Sequence, residues 1–238
     1  MHFPVPSCTA EQRQLETDMV ATFSLVYAAA SLFLSAQTVA DDIRAEEMRK
    51  LKTCLELVEE DETAAYEMSL EWQYEGNRPG ARECKASALI RMGDYEEGAL
   101  QLEQLANAPD GGTLQDRAHF LSKAGSAWLM AGLPEEAIIA FDNAETLDDE
   151  NYDIKKYRAQ AYLAQERWQD AEKDLDIAIG NQPGDLTAYL FRAEARLQQN
   201  RFDDALADID QARAIDNENI DALLLRGQIR EAKRLAME

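Results

Sequence analysis

Proline and glycine are scarce in this sequence, with 6 and 11 residues among 238. That poverty of breakers permits long helices and argues against an all-β chain or a flexible low-complexity linker. Histidine is rarer still, with two residues, and cysteine contributes three. Cys54 and Cys84 have no histidine close by in sequence, so a zinc site is not expected. None of the glycine-rich phosphate loops, nucleophile elbows or His-Glu-x-x-His motifs occurs. His2 and His119 are the only imidazoles, and His119 reads as a surface residue at the start of a helix. The expectation is no enzyme activity, no catalytic residue, no cofactor and no bound metal. Positive charge is also short: 24 Lys and Arg face 46 Asp and Glu, a net charge of −22. Such a chain is repelled by phosphate backbones and by anionic lipid, which excludes nucleic acid as its main partner. The acid excess reads either as a solvated surface or as a docking face for a basic partner.

Long apolar runs are absent except for one. Residues 19–40, MVATFSLVYAAASLFLSAQTVA, carry no charge. The apolar centre from Phe23 to Leu34 suits a secretory signal and is short for a membrane span, which needs about 20 apolar residues. Thr38-Val39-Ala40 supplies small residues at a cleavage point. Residues 1–18 hold Glu11, Glu16 and Asp18 against Arg13, a poor leader charge, and read as an upstream extension. A signal peptide at 19–40 and export, to a bacterial periplasm or beyond, are the expectation. The alternative is an uncleaved inner-membrane anchor, in which case the protein is a tethered assembly factor and the membrane becomes a partner.

From residue 41 onward the apolar residues recur with helical period, broken by Gly, Pro, Asp and Asn. The spacing predicts helices near 42–59, 62–75, 80–92, 95–107, 115–131, 134–147, 152–165, 168–180, 186–199, 202–215 and 220–236. No segment alternates long enough for a strand. A shift of 34 residues brings columns into register. Small residues Gly125, Ala159, Ala193 and Gly227 align, as do Ala137, Ala171 and Ala205. Phe141, Leu175 and Ile209 form a large column. A two-helix unit of this period is a solenoid repeat, whose hairpins bury their apolar faces only by stacking. Small columns admit the partner helix and large columns fill the gap. Trp72, Trp128 and Trp168 fall at core phases, and Tyr95, Trp168 and Phe202 mark the turns between paired helices.

The segments GDYEEGALQLEQLANAP, GLPEEAIIAFDNAETLDDEN, ERWQDAEKDLDIAIGNQPGD and NRFDDALADIDQARAIDNEN resemble tetratricopeptide repeats. Gly93-Asp94-Tyr95, Ala137, Phe141, Ala144 and Pro183 answer to that pattern. Gly98 stands where Ala is usual, Glu166 and Asn200 replace the turn Gly, and five extra residues fall around Asp110-Gly111-Gly112. The resemblance implies an all-α, right-handed superhelical solenoid of TPR helix hairpins. It divides the chain into a divergent hairpin at 41–79, repeats at about 80–114, 115–151, 152–185 and 186–219, and a C-terminal capping helix at 220–238.

It further implies a non-enzymatic scaffold that binds another protein, as an extended peptide or a helix, on a concave wall of first helices. On that phase the lining is His119, Ser122, Ser126, Leu129 and Met130, then Lys156, Gln160 and Leu163. Leu190, Glu194 and Leu197 follow, then Leu224, Gln228 and Glu231. Arg158, Arg192 and Arg226 form a further 34-residue column, read either as a ladder for partner carboxylates or as internal ion pairs. In such a stack the helices bearing Cys54 and Cys84 are neighbours. Removal of Cys8 with a cleaved leader leaves these two as an even pair, suited to a disulfide; the other reading is two buried thiols.

Overall fold

The computed structural model describes residues 42–238. The proposed extension at 1–18 and the uncharged run at 19–40 lie outside the described residues. The chain divides at Lys50 into two units. In the first, residues 42–50 are helical. The second, from Leu51, is an all-α right-handed solenoid. Its helices are α1 (residues 51–60), α2 (Glu62–Tyr74), α3 (Pro79–Met92), α4 (Tyr95–Asn107), α5 (Leu114–Met130) and α6 (Pro134–Leu147). They continue as α7 (Tyr152–Ala164), α8 (Trp168–Asn181), α9 (Leu186–Gln198), α10 (Phe202–Ile215) and α11 (Ile220–Leu235). Among the described residues there is no strand, and no helix is long and apolar enough to cross a membrane.

Local chemistry sets the helix ends. Asp61, Asp185 and Asn219 accept hydrogen bonds from the backbone N–H groups of Ala64, Ala188 and Ala222. Thr113 and Asp116 form a reciprocal capping box, and Pro79 and Pro134 open α3 and α6. Four first helices end alike. Gly93, Gly132, Glu166 and Asn200 have φ of 92°, 76°, 58° and 60°. Their N–H groups donate to Ile90, Leu129, Leu163 and Leu197, while the following N–H reaches back to Leu89, Trp128, Tyr162 and Arg196. This paired bonding closes the helix C-terminus with one left-handed residue. Asn tolerates that conformation, whereas Glu is strained in it. The extra residues between α4 and α5 are held by Arg117, which donates to the carbonyls of Ala106 and Ala108, and by Arg82, 2.5 Å from Asp110.

Packing follows the size columns. A Cβ at Gly125 would lie 2.8 Å from the ring of Phe141, so only glycine admits that side chain. Ala159 and Leu175 share one core cluster, and Ala193 and Ile209 share the next. Gly98 has the same origin: a Cβ there would meet Ile90 at 2.5 Å. Trp72 and Trp128 are buried, whereas Trp168 is half-buried over its turn. Each helix packs on its sequence neighbours, and α5, α7, α9 and α11 also touch in succession. The second helices α4, α6, α8 and α10 make no comparable contact with one another. The first helices therefore form the tighter, inner side of the curve.

The irregular amino-terminal hairpin is joined by a covalent bond. Cys54 on α1 and Cys84 on α3 form a disulfide, with their Cα atoms 5.9 Å apart. Around it Val58, Ala65, Trp72 and Ala81 make a separate small core.

Ion pairs bind one hairpin to the next. Arg158 on α7 forks onto Asp174 on α8, at 2.7 and 2.9 Å, and reaches Asp142 on α6 at 2.7 Å. Arg192 on α9 repeats this, forking onto Asp208 on α10 and reaching Asp176 on α8. Each arginine thus joins carboxylates 16 residues behind and ahead of it. Asp174 and Asp208 are only 5% and 2% exposed. Burial opposes the charge on Arg158 and Arg192, but hydrogen bonds from these carboxylates outweigh it and hold both guanidinium pKa values above the ordinary range.

Four outcomes follow from this packing. Glu166→Gly relieves the left-handed glutamate and raises the unfolding free energy by about 0.5–1 kcal/mol, more than Asn200→Gly does, in urea melts. Asp208→Asn costs about 2 kcal/mol, the low side for a broken buried pair because Arg192 and Arg196 keep Asp176 and Glu172. Asp210→Asn, exposed and without a partner among the described residues, changes stability by under about 0.5 kcal/mol. Reducing Cys54–Cys84, which closes a separation of 30 residues, costs roughly 3.5 kcal/mol on the chain-entropy account. An unchanged melt under reductant would refute that figure.

Candidate functional site

Among the described residues, two grooves open on the inner wall. One, of about 450 Å³, runs between α9 and α11. The other, of about 420 Å³, lies at the opposite end among α1, α3 and α5.

The α9–α11 groove gathers Leu190, Glu194, Leu197, Leu224 and Gln228, five of the residues placed on the concave wall by phase. Its lining is mixed, with Leu190, Leu197 and Leu224 set among Thr187, Gln198, Asn219 and Gln228, and Leu224 is 62% exposed. Two carboxylates, Glu194 and Asp221, stand among these side chains, and no Lys or Arg lines the groove. Glu194 is open to solvent and has no ion-pair or hydrogen-bond partner among the described residues. The surrounding walls desolvate its carboxyl and push its pKa above the usual glutamate value. An acid without a partner, set beside leucine side chains in a half-polar groove, favours a cation that brings some apolar surface with it.

Phe191, Leu225 and Asn219 also line this groove and were not singled out from the sequence. Lys123, Tyr157, Phe191 and Leu225 are themselves a 34-residue column, one position beyond Leu190 and Leu224. That column was the available signal.

The other expected lining residues are dispersed. Met130 is 60% exposed and joins Leu55, Val58, Ile90 and Lys123 in the second groove. Leu129 packs partly against the core of the second repeat. Ser126 donates to the backbone carbonyl of Ser122, which ties the Ser126 hydroxyl to its own helix, and Ser122 is half-buried. His119 is exposed, 3.9 Å from Glu83, and desolvation followed by repulsion from Lys123 lowers its pKa. Gln160 is exposed and Glu231 pairs with Arg234.

Two expected lining residues are not open to a partner. Lys156 is buried and donates to Asp153 and Asp185, at 2.7 and 2.6 Å. Its second partner is the N-cap of α9, so this lysine locks two successive repeats. Leu163 is 9% exposed and belongs to the core shared with Leu175 and Tyr189. Among the described residues no cluster of His, Cys, Asp and Glu could hold a metal ion.

A comparison with curated proteins found no match. Among solved structures the chain resembles TTC0263, a thermophilic TPR protein of Thermus thermophilus. That match has 20% identity and a TM-score of 0.57, and covers 78% of this chain and 98% of that one. It also resembles MamA 41-end from Desulfovibrio magneticus RS-1, with 18% identity, a TM-score of 0.58, and coverage of 68% and 90%. At these identities the likeness concerns the fold. The tetratricopeptide-repeat family profile matches residues 85–152 and 158–220, more than half of the sequence, and with the paired helices already described it establishes that the chain belongs to the tetratricopeptide-repeat family.

Proposed function

We propose that this protein-interaction scaffold holds a basic, apolar-faced peptide or helix in the α9–α11 groove and works outside the reducing cytoplasm, in a periplasm. The observation that carries the binding reading is Glu194: a carboxylate with no partner among the described residues, raised in pKa by desolvation, beside Leu190, Leu197 and Leu224 in the inner-wall groove. A partner lysine or arginine placed over it gains a charge-assisted bond. Leucine or aromatic side chains beside that cation fill the space along Leu190, Leu197 and Leu224. The net charge of −22 favours encounter with such a partner. The compartment reading is supported by the Cys54–Cys84 pair, since disulfides persist in oxidising surroundings. The role proposed is binding rather than catalysis.

The test uses a fluorescent amphipathic peptide of alternating turns of leucine and lysine, titrated by anisotropy at fixed salt. Saturable binding is expected, weakened at least tenfold by Glu194→Lys and by Leu224→Glu. Both positions are solvent-exposed, so helicity is retained. Leu100→Glu, on a second helix, leaves affinity unchanged. Binding requires the ionised Glu194, and its raised pKa means affinity falls earlier on acidification than it would for an ordinary surface glutamate. Equal affinity of all three variants would remove the groove from consideration. For the compartment, free-thiol labelling of native protein from cells is expected to find Cys54 and Cys84 blocked.

A further inference from the structure

The last helix presents a second face, distinct from the groove, that repeats the binding surface of the helices before it. In α9, Tyr189, Arg192, Ala193 and Arg196 form the side that receives α10: Arg192 and Arg196 both grip Asp208, and Ala193 shares a core with Ile209. In α7, Arg158 and Ala159 play the same parts toward Asp174 and Leu175 of α8. Advanced by 34 residues, the set in α9 becomes Leu223, Arg226, Gly227 and Arg230 on α11.

No helix among the described residues covers these four as α10 covers their counterparts. Leu223 is 45% exposed, where its counterpart Tyr189 is 8% exposed. A Cβ at Gly227 would meet no atom within 4 Å, whereas at Gly125 it would strike Phe141. Arg226 and Arg230 have no ion-pair or hydrogen-bond partner among the described residues, although Arg192 and Arg196 are fully engaged. The other cations of α11 are spent: Lys233 pairs with Asp203, and Arg234 with Glu231 and Glu238. Two free guanidinium groups therefore flank a glycine notch and an exposed leucine on one helical face, in a protein of strongly negative charge.

We infer that this face of α11 docks an acidic amphipathic helix of a partner protein, of the pattern small-x-x-Asp-large. The pattern is read from the helices that fill the equivalent faces, Ala171-x-x-Asp174-Leu175 and Ala205-x-x-Asp208-Ile209. The partner's aspartate takes the fork of Arg226 and is reached by Arg230, its large residue fills the notch over Gly227, and its small residue lets the helices close. Leu223 covers the junction. The chemistry is opposite to that of the α9–α11 groove, which is acidic, so the two surfaces select different partners and this inference stands apart from the groove reading.

The probe is a labelled synthetic peptide copying residues 202–215, FDDALADIDQARAI, the segment that fits the α9 face, titrated against the intact chain. Saturable binding is expected. Arg226→Ala, Arg230→Ala and Gly227→Leu in the protein, and Asp208→Asn in the peptide, each weaken it at least tenfold. Combining Arg226→Ala with the peptide's Asp208→Asn costs much less than the product of the two. Thermal unfolding of the arginine variants stays close to the parent, because neither side chain holds an ion pair or hydrogen bond among the described residues. Glu194→Lys leaves this binding intact while weakening binding in the groove. Absence of saturable binding, or equal affinity in the Arg226→Glu, Arg230→Glu double variant, overturns the proposal. A concentration-dependent dimer in sedimentation, dissolved by that same double variant, also overturns it, with a second copy as the occupant.

Discussion

The close approach of each first helix to its second helix is the constraint on which the solenoid depends. It is set by a reciprocal choice of sizes across one contact. Gly125 faces Phe141, whose ring lies where a Cβ would be, while Ala159 and Ala193 accompany the smaller Leu175 and Ile209. The sum of the two side chains is roughly held while its division shifts, so successive hairpins keep a similar separation. Regular separation lets hairpins stack, and stacking buries what one hairpin alone leaves open. The inner curve and its grooves are consequences of that stacking.

Many cations of the repeats are committed before any partner arrives. Arg158, Arg192 and Arg196 are taken up by carboxylates of neighbouring helices, and Lys155 and Lys156 by Glu145, Asp153 and Asp185. Burial pushes Glu145 and Glu172 upward in pKa, but hydrogen bonds from Lys155 and Arg158, and from Arg196 and Arg201, hold both below the usual range. Such groups contribute stability above their unfolded pKa and lose it as pH falls through the folded one, so acid loosens the joints between repeats. What is left at the surface is mostly acid. The exposed face of α11, like Lys85 and Lys173, carries cations with no carboxylate partner among the described residues.

The architecture was legible because a 34-residue period constrains many residues at once. Gly125, Ala159 and Ala193 against Phe141, Leu175 and Ile209 is a pattern in one dimension that maps onto one contact in three. Glu166 and Asn200 were visible as departures at the turn, and their left-handed backbone shows the turn geometry outlasting its glycine. The grooves were only half legible. Leu190, Glu194, Leu197, Leu224 and Gln228 come together as phase implies, because the last repeats keep strict register. Lys156 and Leu163 share that phase but are buried, since their surroundings depend on how far the next repeat closes over them. The groove at Leu55, Val58 and Ile90 lies where the hairpin has lost the repeat pattern, so no column pointed to it.

The terminal helix is where these themes meet. Only Ala222 and Ile229 of α11 are buried, far fewer than in α5 or α7. A helix so lightly anchored draws little stability from its single neighbouring hairpin and opens more readily than the interior of the array. Leu224 and Gln228 line the groove on one side of it, and Leu223, Arg226 and Arg230 stand on another. Any ligand that binds only the folded helix raises the population of that state, whichever face it uses. The two faces therefore share one folding equilibrium, and occupation of either lowers the ordering cost for the other without contact between the ligands. The size of that coupling is bounded by the free energy of fraying of α11, so a well-ordered terminal helix would couple the faces weakly and a frayed one strongly.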